Sequence, residues 1–413
     1  MKYGLIGEHL GHSYSREIHA LIADYKYELT EIRPDALSNF LEKREFNAIN
    51  VTIPYKQAVI PYLDEISENA ASIGAVNTIV NRNGKLCGYN TDLAGMLALA
   101  KRIGIDARGK KVLILGTGGT SKTAMAAAKR LGAAEIIRVS RSGRDGAVSY
   151  EKAAEKHFDA RIVFNTTPAG MFPHTDGQAL DLTPFVNCEA VADAVYNPLR
   201  TDLVLEAQSR GIASEGGLYM LTAQAVYASA LFLGTEPDGS VIEKTFQSVY
   251  NDKRNIVFTG MPSSGKTTVG KALAEKTGRA FYDSDEIIIE KIGMPIADFF
   301  ALHGEAAFRT LESEVIAALS EKSGCIIATG GGAVLSADNV RRLKHNGTVY
   351  FLDRSPDKLA PSADRPLSSS CADLMRLYNE RYGIYTSTAD VIVNESMGTV
   401  LFDSQCTIDT YSH

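Results

Sequence analysis

Residues 260–268 read GMPSSGKTT. They follow an apolar run, NIVFT at 255–259, and they open a helical pattern over 269–276. Strand, glycine loop and helix in that order restrict the fold sharply. The loop matches G-x-x-x-x-G-K-S/T at Gly260, Gly265, Lys266 and Thr267. Backbone N–H groups of such a loop converge on phosphate oxygens at a helix N-terminus. Lys266 adds a point charge, and the Thr267 hydroxyl can hold Mg²⁺. A phosphate loop belongs near the start of its domain, and this one begins at residue 260 of 413. A complete unit is therefore expected before it.

Composition agrees with two or three domains of roughly 100–200 residues each. Apolar residues make up 45% and charged residues 22%, as in ordinary globular proteins. A net charge of −6 gives no global basic field for nucleic acid. No apolar run approaches the roughly 18 residues of a membrane-crossing helix, and the N-terminus has no signal-peptide core. The five cysteines are widely spaced without a C-x-x-C pair. Neither a disulfide framework nor a zinc site is indicated, and a reducing cytoplasm is the expected compartment. His9, His12 and His19 lack the spacing and acidic partners of a metal site, so a structural role is expected for them.

The first 250 residues contain a second glycine turn. KVLIL at 111–115 is a buried-strand run, and GTGGTSKTA follows at 116–124 with a helix to about Leu131. Gly116, Gly118 and Gly119 form a G-x-G-G variant of the dinucleotide turn, and a second strand is expected at 135–139. That strand runs into Ser140-Arg141-Ser142-Gly143-Arg144 rather than an acidic residue. Arginines and hydroxyls there suit a 2′-phosphate, which favours NADP over NAD. Further strands at 160–165 and 190–194 end in polar loops, where parallel sheets bind ligands.

Other motifs have ordinary explanations when taken singly. Ser13 and Ser15 lie two apart on a loop, as turn residues often do. AINVTIPYK at 48–56 alternates like a half-buried strand that Pro54 ends, with Lys56 directly after it. A lone lysine is ordinarily a solvated charge. Asp92 precedes a helical pattern and reads equally as an N-cap or as a carboxylate offered to a site. In the second half, Asp283 and Asp285 stand at the end of an expected strand and face the phosphate loop. Arg309 and Glu312 have i, i+3 helical spacing, which also suits a surface pair. Gly330, Gly331 and Gly332 allow a close backbone approach.

Taken together and in order, the motifs of residues 1–250 resemble the shikimate dehydrogenase family. The resemblance rests on the Ser13/Ser15 loop, NVTIPYK, GAVNTI, GYNTD, GTGG, NTTPAGM, YNPLRT and GLYMLTAQA. It implies Lys56 and Asp92 as the catalytic pair. It implies Ser13 and Ser15 on the substrate carboxylate with Tyr196 nearby, and Thr52, Asn77 and Gln224 on ring hydroxyls. For NADP(H) it implies Gly116, Gly118, Gly119, Ser140, Arg141, Ser142, Arg144, Thr166 and Gly217. Leu93 stands where that family usually has glycine, and Ser140-Arg141-Ser142 replaces Asn-Arg-Thr.

Residues from 254 to about 395 resemble the shikimate kinase family. This resemblance implies Asp285 on the substrate hydroxyl, and Arg309 and Arg381 on its carboxylate, with Gly330 to Gly332 against the ring. It implies that Lys266 and Arg365 stabilise the transferring phosphoryl group. It implies Gly260, Ser264, Gly265, Lys266, Thr267 and Thr268 on ATP, and Thr267 on Mg²⁺ with Asp283 helping through water. Ser263 replaces a loop glycine, the segment 355–365 is short, and Lys358 is the nearest cation to the family's adenine-stacking arginine. The tail 397–413 lacks an amphipathic pattern, so a raised ATP KM is expected.

The expected fold is α/β throughout. Residues 1–92 with 217–250 form a substrate domain, 93–216 a Rossmann NADP-binding domain, and 254–413 a P-loop domain with a parallel sheet. The expected function is NADPH-dependent reduction of 3-dehydroshikimate to shikimate, followed by MgATP-dependent phosphorylation. Quinate as a substrate, a weakened kinase, and a metabolite-sensing regulator on the same folds stay open. The regulator has no need of Lys56, Asp92, Lys266, Asp285 and Arg365 together. No helix-turn-helix or basic segment suggests a nucleic-acid partner.

Overall fold

The computed structural model describes residues 1–11, 13–143, 146–360, 367 and 370–394. The chain divides into two compact units, Met1–Tyr250 and Asn251–His413. The boundary falls within the helix Gly239–Lys253.

The first unit holds two sheets. One contains β1 (Tyr3–Gly7), β2 (Tyr27–Glu31), β3 (Ala48–Val51), β4 (Glu65–Ile66), β5 (Thr78–Arg82) and β6 (Lys85–Tyr89), in the order β2-β1-β3-β5-β6-β4. Its β3–β5 and β5–β6 pairings are antiparallel, which strand patterning alone does not disclose. The other contains β7 (Lys111–Leu115), β8 (Glu135–Val139), β9 (Ile162–Asn165), β10 (Ala190–Asp193) and β11 (Ala213–Glu215), in the order β11-β10-β9-β7-β8. All four of its pairings are parallel.

A parallel sheet buried on both faces needs nearly continuous apolar strands. In β7, Val112 and Ile114 enter one core cluster while Leu113 and Leu115 enter another. The first sheet divides in the same way: Ile6, Ile49 and Val51 pack on one face, Leu5 and Ala48 on the other. The helix Leu218–Leu233 is apolar nearly all round because most of it is buried.

The second unit is one parallel sheet of β12 (Asn255–Thr259), β13 (Phe281–Asp283), β14 (Ile326–Ala328), β15 (Gly347–Leu352) and β16 (Val391–Val393), in the order β13-β14-β12-β15-β16. Val257 and Ile327 pack on one face, and Ile256, Phe258 and Ile326 on the other. The long helical stretch Ile296–Ser320 breaks at Gly304, whose φ of 78° is left-handed. Arg309 and Glu312 lie beyond that break. Asp285 is not on β13 as expected; it occupies the first turn of the helix Ser284–Ile292, which Asp283 caps. No helix among the described residues is long and apolar enough to cross a membrane.

Candidate active sites

In the first unit, β3 ends at Val51 and a turn bounded by Ile53-Pro54, a cis peptide, carries the chain to Lys56. Lys56 Nζ lies 2.6 Å from Asp92 Oδ2, with side chains 23% and 14% exposed. Thr91 is the N-cap of the helix Asp92–Arg102, so Asp92 is its first helical residue and does not cap it. Its carboxylate faces Lys56 instead, so of the two readings that the sequence left open the N-cap does not hold.

Asn77 holds the other carboxylate oxygen. Its Nδ2 donates to Asp92 Oδ1 at 2.9 Å, and its Oδ1 accepts from Thr91 N at 2.7 Å. Thr91 Oγ1 reaches Gln224 Oε1 at 3.4 Å, which brings the helix Leu218–Leu233 to the site. Lys56, Asp92, Asn77 and Gln224 are thus brought together. Thr91 and the buried Asn50 join them; both lie inside quoted motifs, GYNTD and NVTIPYK, but neither was singled out there. Thr52 follows β3 directly, and its methyl group packs where a Cβ on Gly7 would stand. Ser13 Oγ lies 3.1 Å from Ser15 Oγ at the start of the helix Ser15–Ile22. Between those serines, Tyr14 meets the Tyr196 ring edge-on at 5.2 Å.

Tyr196 belongs to a loop that a buried carboxylate organises. Asp193 accepts from Asn165 Nδ2 at 2.9 Å, Val195 N at 2.9 Å and Thr201 Oγ1 at 2.7 Å. Complete burial pushes its carboxyl up to about 6. His19 plays a structural part: it is buried, it stacks on Tyr27 at 3.8 Å, and burial pushes it down to about 3. His12 lies outside the described residues.

The dinucleotide turn follows β7. Gly116 has φ 104°, and a Cβ there would lie 2.9 Å from Thr166 Oγ1. Gly118 and Gly119 face open space at the N-terminus of the helix Gly119–Arg130, and no side chain caps it. That uncapped, uncrowded helix start fits a pyrophosphate. Gly116 N donates to Val139 O at 2.8 Å, which sets Ser140, Arg141 and Ser142 beside the turn. Arg141 and Ser142 are exposed there, as a 2′-phosphate contact requires. Arg144 lies outside the described residues. Gly217 packs against Ala194, whose carbonyl oxygen would stand 2.2 Å from a Cβ.

In the second unit, Gly260 has φ 147° and a Cβ there would lie 2.9 Å from both Leu352 O and Ser264 Oγ. Gly265 has φ 94° and begins the helix Lys266–Thr277, whose third residue is Thr268. Lys266 is buried, its Nζ donating to Gly260 O at 3.0 Å and Met261 O at 2.9 Å. Thr267 Oγ1 donates to Asp283 Oδ2 at 2.6 Å. This hydroxyl–carboxylate pair suits a hard cation that keeps several waters.

The residues after β14 wrap round a charged cluster. Cβ atoms added to the glycines would lie 2.5 Å from Asp285 Oδ1 at Gly330 and 2.0 Å from Arg309 Nη1 at Gly332. At Gly331 the added Cβ would lie 3.0 Å from Pro262 Cδ, so the cluster adjoins the phosphate loop. Arg381 Nη1 donates to Gly331 O at 3.1 Å. The pair that the sequence allowed as superficial is not so: Glu312 is 1% exposed, and Arg309 Nη1 donates to its Oε2 at 2.7 Å. Burial raises the Glu312 carboxyl, against the pull of Arg309 and with a contribution from Asp285. Arg365 and the tail 397–413 lie outside the described residues, as does much of the short segment 355–365.

The two units define a dinucleotide-binding α/β oxidoreductase followed by a P-loop phosphotransferase. The family model for the shikimate dehydrogenase substrate binding domain matches residues 5–79, and that for shikimate kinase matches residues 262–406. A shikimate dehydrogenase (NADP(+)) of Clostridium perfringens is 35% identical over 265 residues, covering 60% of this chain and 97% of the relative. The chain belongs to the shikimate dehydrogenase family, with a shikimate kinase domain after it. Among solved structures, a chorismate mutase/shikimate 5-dehydrogenase fusion protein from Clostridium acetobutylicum aligns with a TM-score of 0.57 at 30% identity, over 60% of this chain and 96% of that one. Shikimate 5-dehydrogenase from Thermus thermophilus, solved with NADP(H) and shikimate, aligns with a TM-score of 0.54 at 30% identity, over 60% and 99%.

Proposed function

We propose that the chain is a bifunctional enzyme that reduces 3-dehydroshikimate to shikimate and then phosphorylates shikimate at the same oxygen. The observation that carries the first reaction is the half-buried Lys56–Asp92 pair at 2.6 Å. NADPH bound at the Gly116–Gly119 turn supplies the hydride. Lys56 Nζ donates a proton to the ketone oxygen as it becomes an alcohol. Asp92 holds the ammonium in place, and Asn77 fixes the Asp92 carboxylate from its other side. Ser13 and Ser15 offer hydroxyls to the substrate carboxylate, and Thr52, Gln224 and Tyr196 line the rest of the pocket.

The second reaction is supported by the enclosure of Asp285, Arg309 and Arg381 against Gly330–Gly332 beside the phosphate loop. Asp285 orients the substrate hydroxyl and accepts its proton. Arg309 and Arg381 hold the carboxylate, which Arg recognises well as a planar fork. Lys266, with Arg365 in support, neutralises charge on the phosphoryl group in flight. Thr267 and Asp283 would hold Mg²⁺, which would supply positive charge against the phosphates. The ketone reduced first becomes the hydroxyl phosphorylated next, so the order is chemically coherent.

Two substitutions in the intact chain test this. With 3-dehydroshikimate, NADPH and ATP, Lys56→Ala should stop NADPH oxidation while added shikimate still gives ADP. Asp285→Ala should stop ADP release while NADPH oxidation continues. Loss of both activities in either variant, at unchanged thermal stability, would contradict the assignment. Ligand binding without turnover in the parent would favour a metabolite sensor.

A further inference from the structure

The phosphate loop has a cationic neighbour that motif spacing does not single out. β15 runs parallel to β12 with Phe351 opposite Thr259, so both strands exit at the same edge of the sheet. Ligands of parallel α/β sheets bind at that edge. Gly260 closes onto the exit of β15, because a Cβ there would lie 2.9 Å from Leu352 O. Arg354 follows two residues later, with an exposed side chain. A Cβ placed on Gly265 would lie 3.9 Å from Arg354 Nη1. Among the described residues, Arg354 has no hydrogen-bond or ion-pair partner. The adjacent Asp353 takes the Tyr382 hydroxyl at 3.3 Å and is turned to that helix. Lys266 is drawn inward onto Gly260 O and Met261 O. The solvent side of Gly265 is thus left to the Arg354 guanidinium.

We propose that Arg354 binds the phosphate tail of the nucleoside triphosphate on the open side of Gly265. The inference rests on the kinase reading of this unit. A guanidinium offers paired N–H donors that match phosphate oxygens. Having no partner among the described residues, Arg354 gives up no contact with them when a nucleotide arrives. An exposed arginine elsewhere on this domain would be a solvated charge; this one stands at the end of the strand that flanks the loop.

The test uses the full chain with shikimate and varied ATP. Arg354→Ala should raise the ATP KM about tenfold, the factor corresponding to about 1.4 kcal/mol. Arg354→Lys should fall between, because it keeps charge without the fork. The shikimate KM and NADPH oxidation should stay within about twofold of the parent, a change of well under 1 kcal/mol. An ATP KM for Arg354→Ala within about twofold of the parent overturns the proposal. Should the parent release no ADP with shikimate, the kinase reading itself fails, and calorimetric titration with MgADP then decides. Affinity about tenfold weaker in Arg354→Ala would support the phosphate contact, and equal affinity would overturn it.

Discussion

Asn77 Nδ2 lies 2.9 Å from Asp92 Oδ1, and that bond ends a buried chain of donors pointing one way. Tyr27 Oη donates to Asn50 Oδ1 at 2.7 Å, Asn50 Nδ2 to Thr78 Oγ1 at 3.1 Å, and Thr78 Oγ1 to Asn77 Oδ1 at 3.0 Å. Bonds aligned head to tail in a low-dielectric interior polarise one another. Asn50 therefore fixes the Asn77 carboxamide, which fixes Asp92 and so Lys56.

Replacing Asn50 should consequently disturb catalysis more than binding. In Asn50→Leu we expect the dehydrogenase kcat to fall about tenfold or more, since small misplacements of catalytic groups are costly. The 3-dehydroshikimate KM should change little. Tyr27→Phe, which removes only the far end of the chain, should have the smaller effect. Steady-state kinetics beside thermal unfolding check this: a lost melting temperature with unchanged kcat would make Asn50 structural only.

Asp193 makes stability depend on pH in an unusual direction. Its folded carboxyl stands at about 6 against an ordinary 3.8, so the native state holds the proton more tightly than the unfolded chain. Stability from this group is present below pH 3.8 and is lost as pH rises through about 6, by roughly 2–3 kcal/mol in all. Asn at this position keeps the shape and two acceptor contacts without the charge. The melting temperature of Asp193→Asn relative to the parent should therefore rise between pH 4 and pH 6 and then level off. A difference that does not vary with pH would contradict this account of Asp193.

A side chain at Gly330 would crowd the carboxylate proposed to meet the substrate hydroxyl. A Cβ there would lie 2.5 Å from Asp285 Oδ1 and 2.9 Å from Glu312 Oε1. The fold can yield by swinging the Asp285 carboxylate aside, so the stability cost is modest. The cost to chemistry is not, and Gly330→Ala should lower shikimate-dependent ADP release about a hundredfold or more, as 1 Å displacements do. NADPH oxidation should be unaffected in the same preparation. The two rates, measured side by side, check it.

Ser263 sits at φ 63° in the phosphate loop, and its Oγ donates to Ala360 O at 2.8 Å. Left-handed backbone costs a non-glycine residue about 1 kcal/mol, and an exposed hydrogen bond returns about 0.5–1 kcal/mol. Ser263→Gly relieves the first and loses the second, so its stability should be close to the parent's. Ser263→Ala keeps the strain and loses the bond, and should be destabilised by about 0.5–1 kcal/mol. Chemical denaturation of both variants, following the second unit, should rank Ala below Gly.

Much of the fold is legible in the sequence. Strand patterning located β7 and β12 because parallel strands buried on both faces must be apolar along their length. The glycine turns were legible because left-handed φ at Gly116, Gly260 and Gly265 excludes most side chains. The antiparallel partners of β5 were not, since a strand's own residues do not say which neighbour it meets or in which direction.

The sequence by itself singled out the candidate reacting groups: Lys56, Asp92, Lys266, Asp285 and the glycines that would let backbone approach phosphate. Lys266 and the glycines were legible from spacing within a turn, whereas Lys56, Asp92 and Asp285 stood out only through the resemblance of whole sets of motifs in order. Only the tertiary structure decided which carboxylates are buried, and which polar groups support the reacting ones. Asn50 meets Thr78, and Thr91 meets Gln224, across 28 and 133 residues of chain. Arg354 comes to the loop because β15 happens to lie beside β12. Such meetings follow from how strands order and helices pack, and burial acts on whatever that packing encloses.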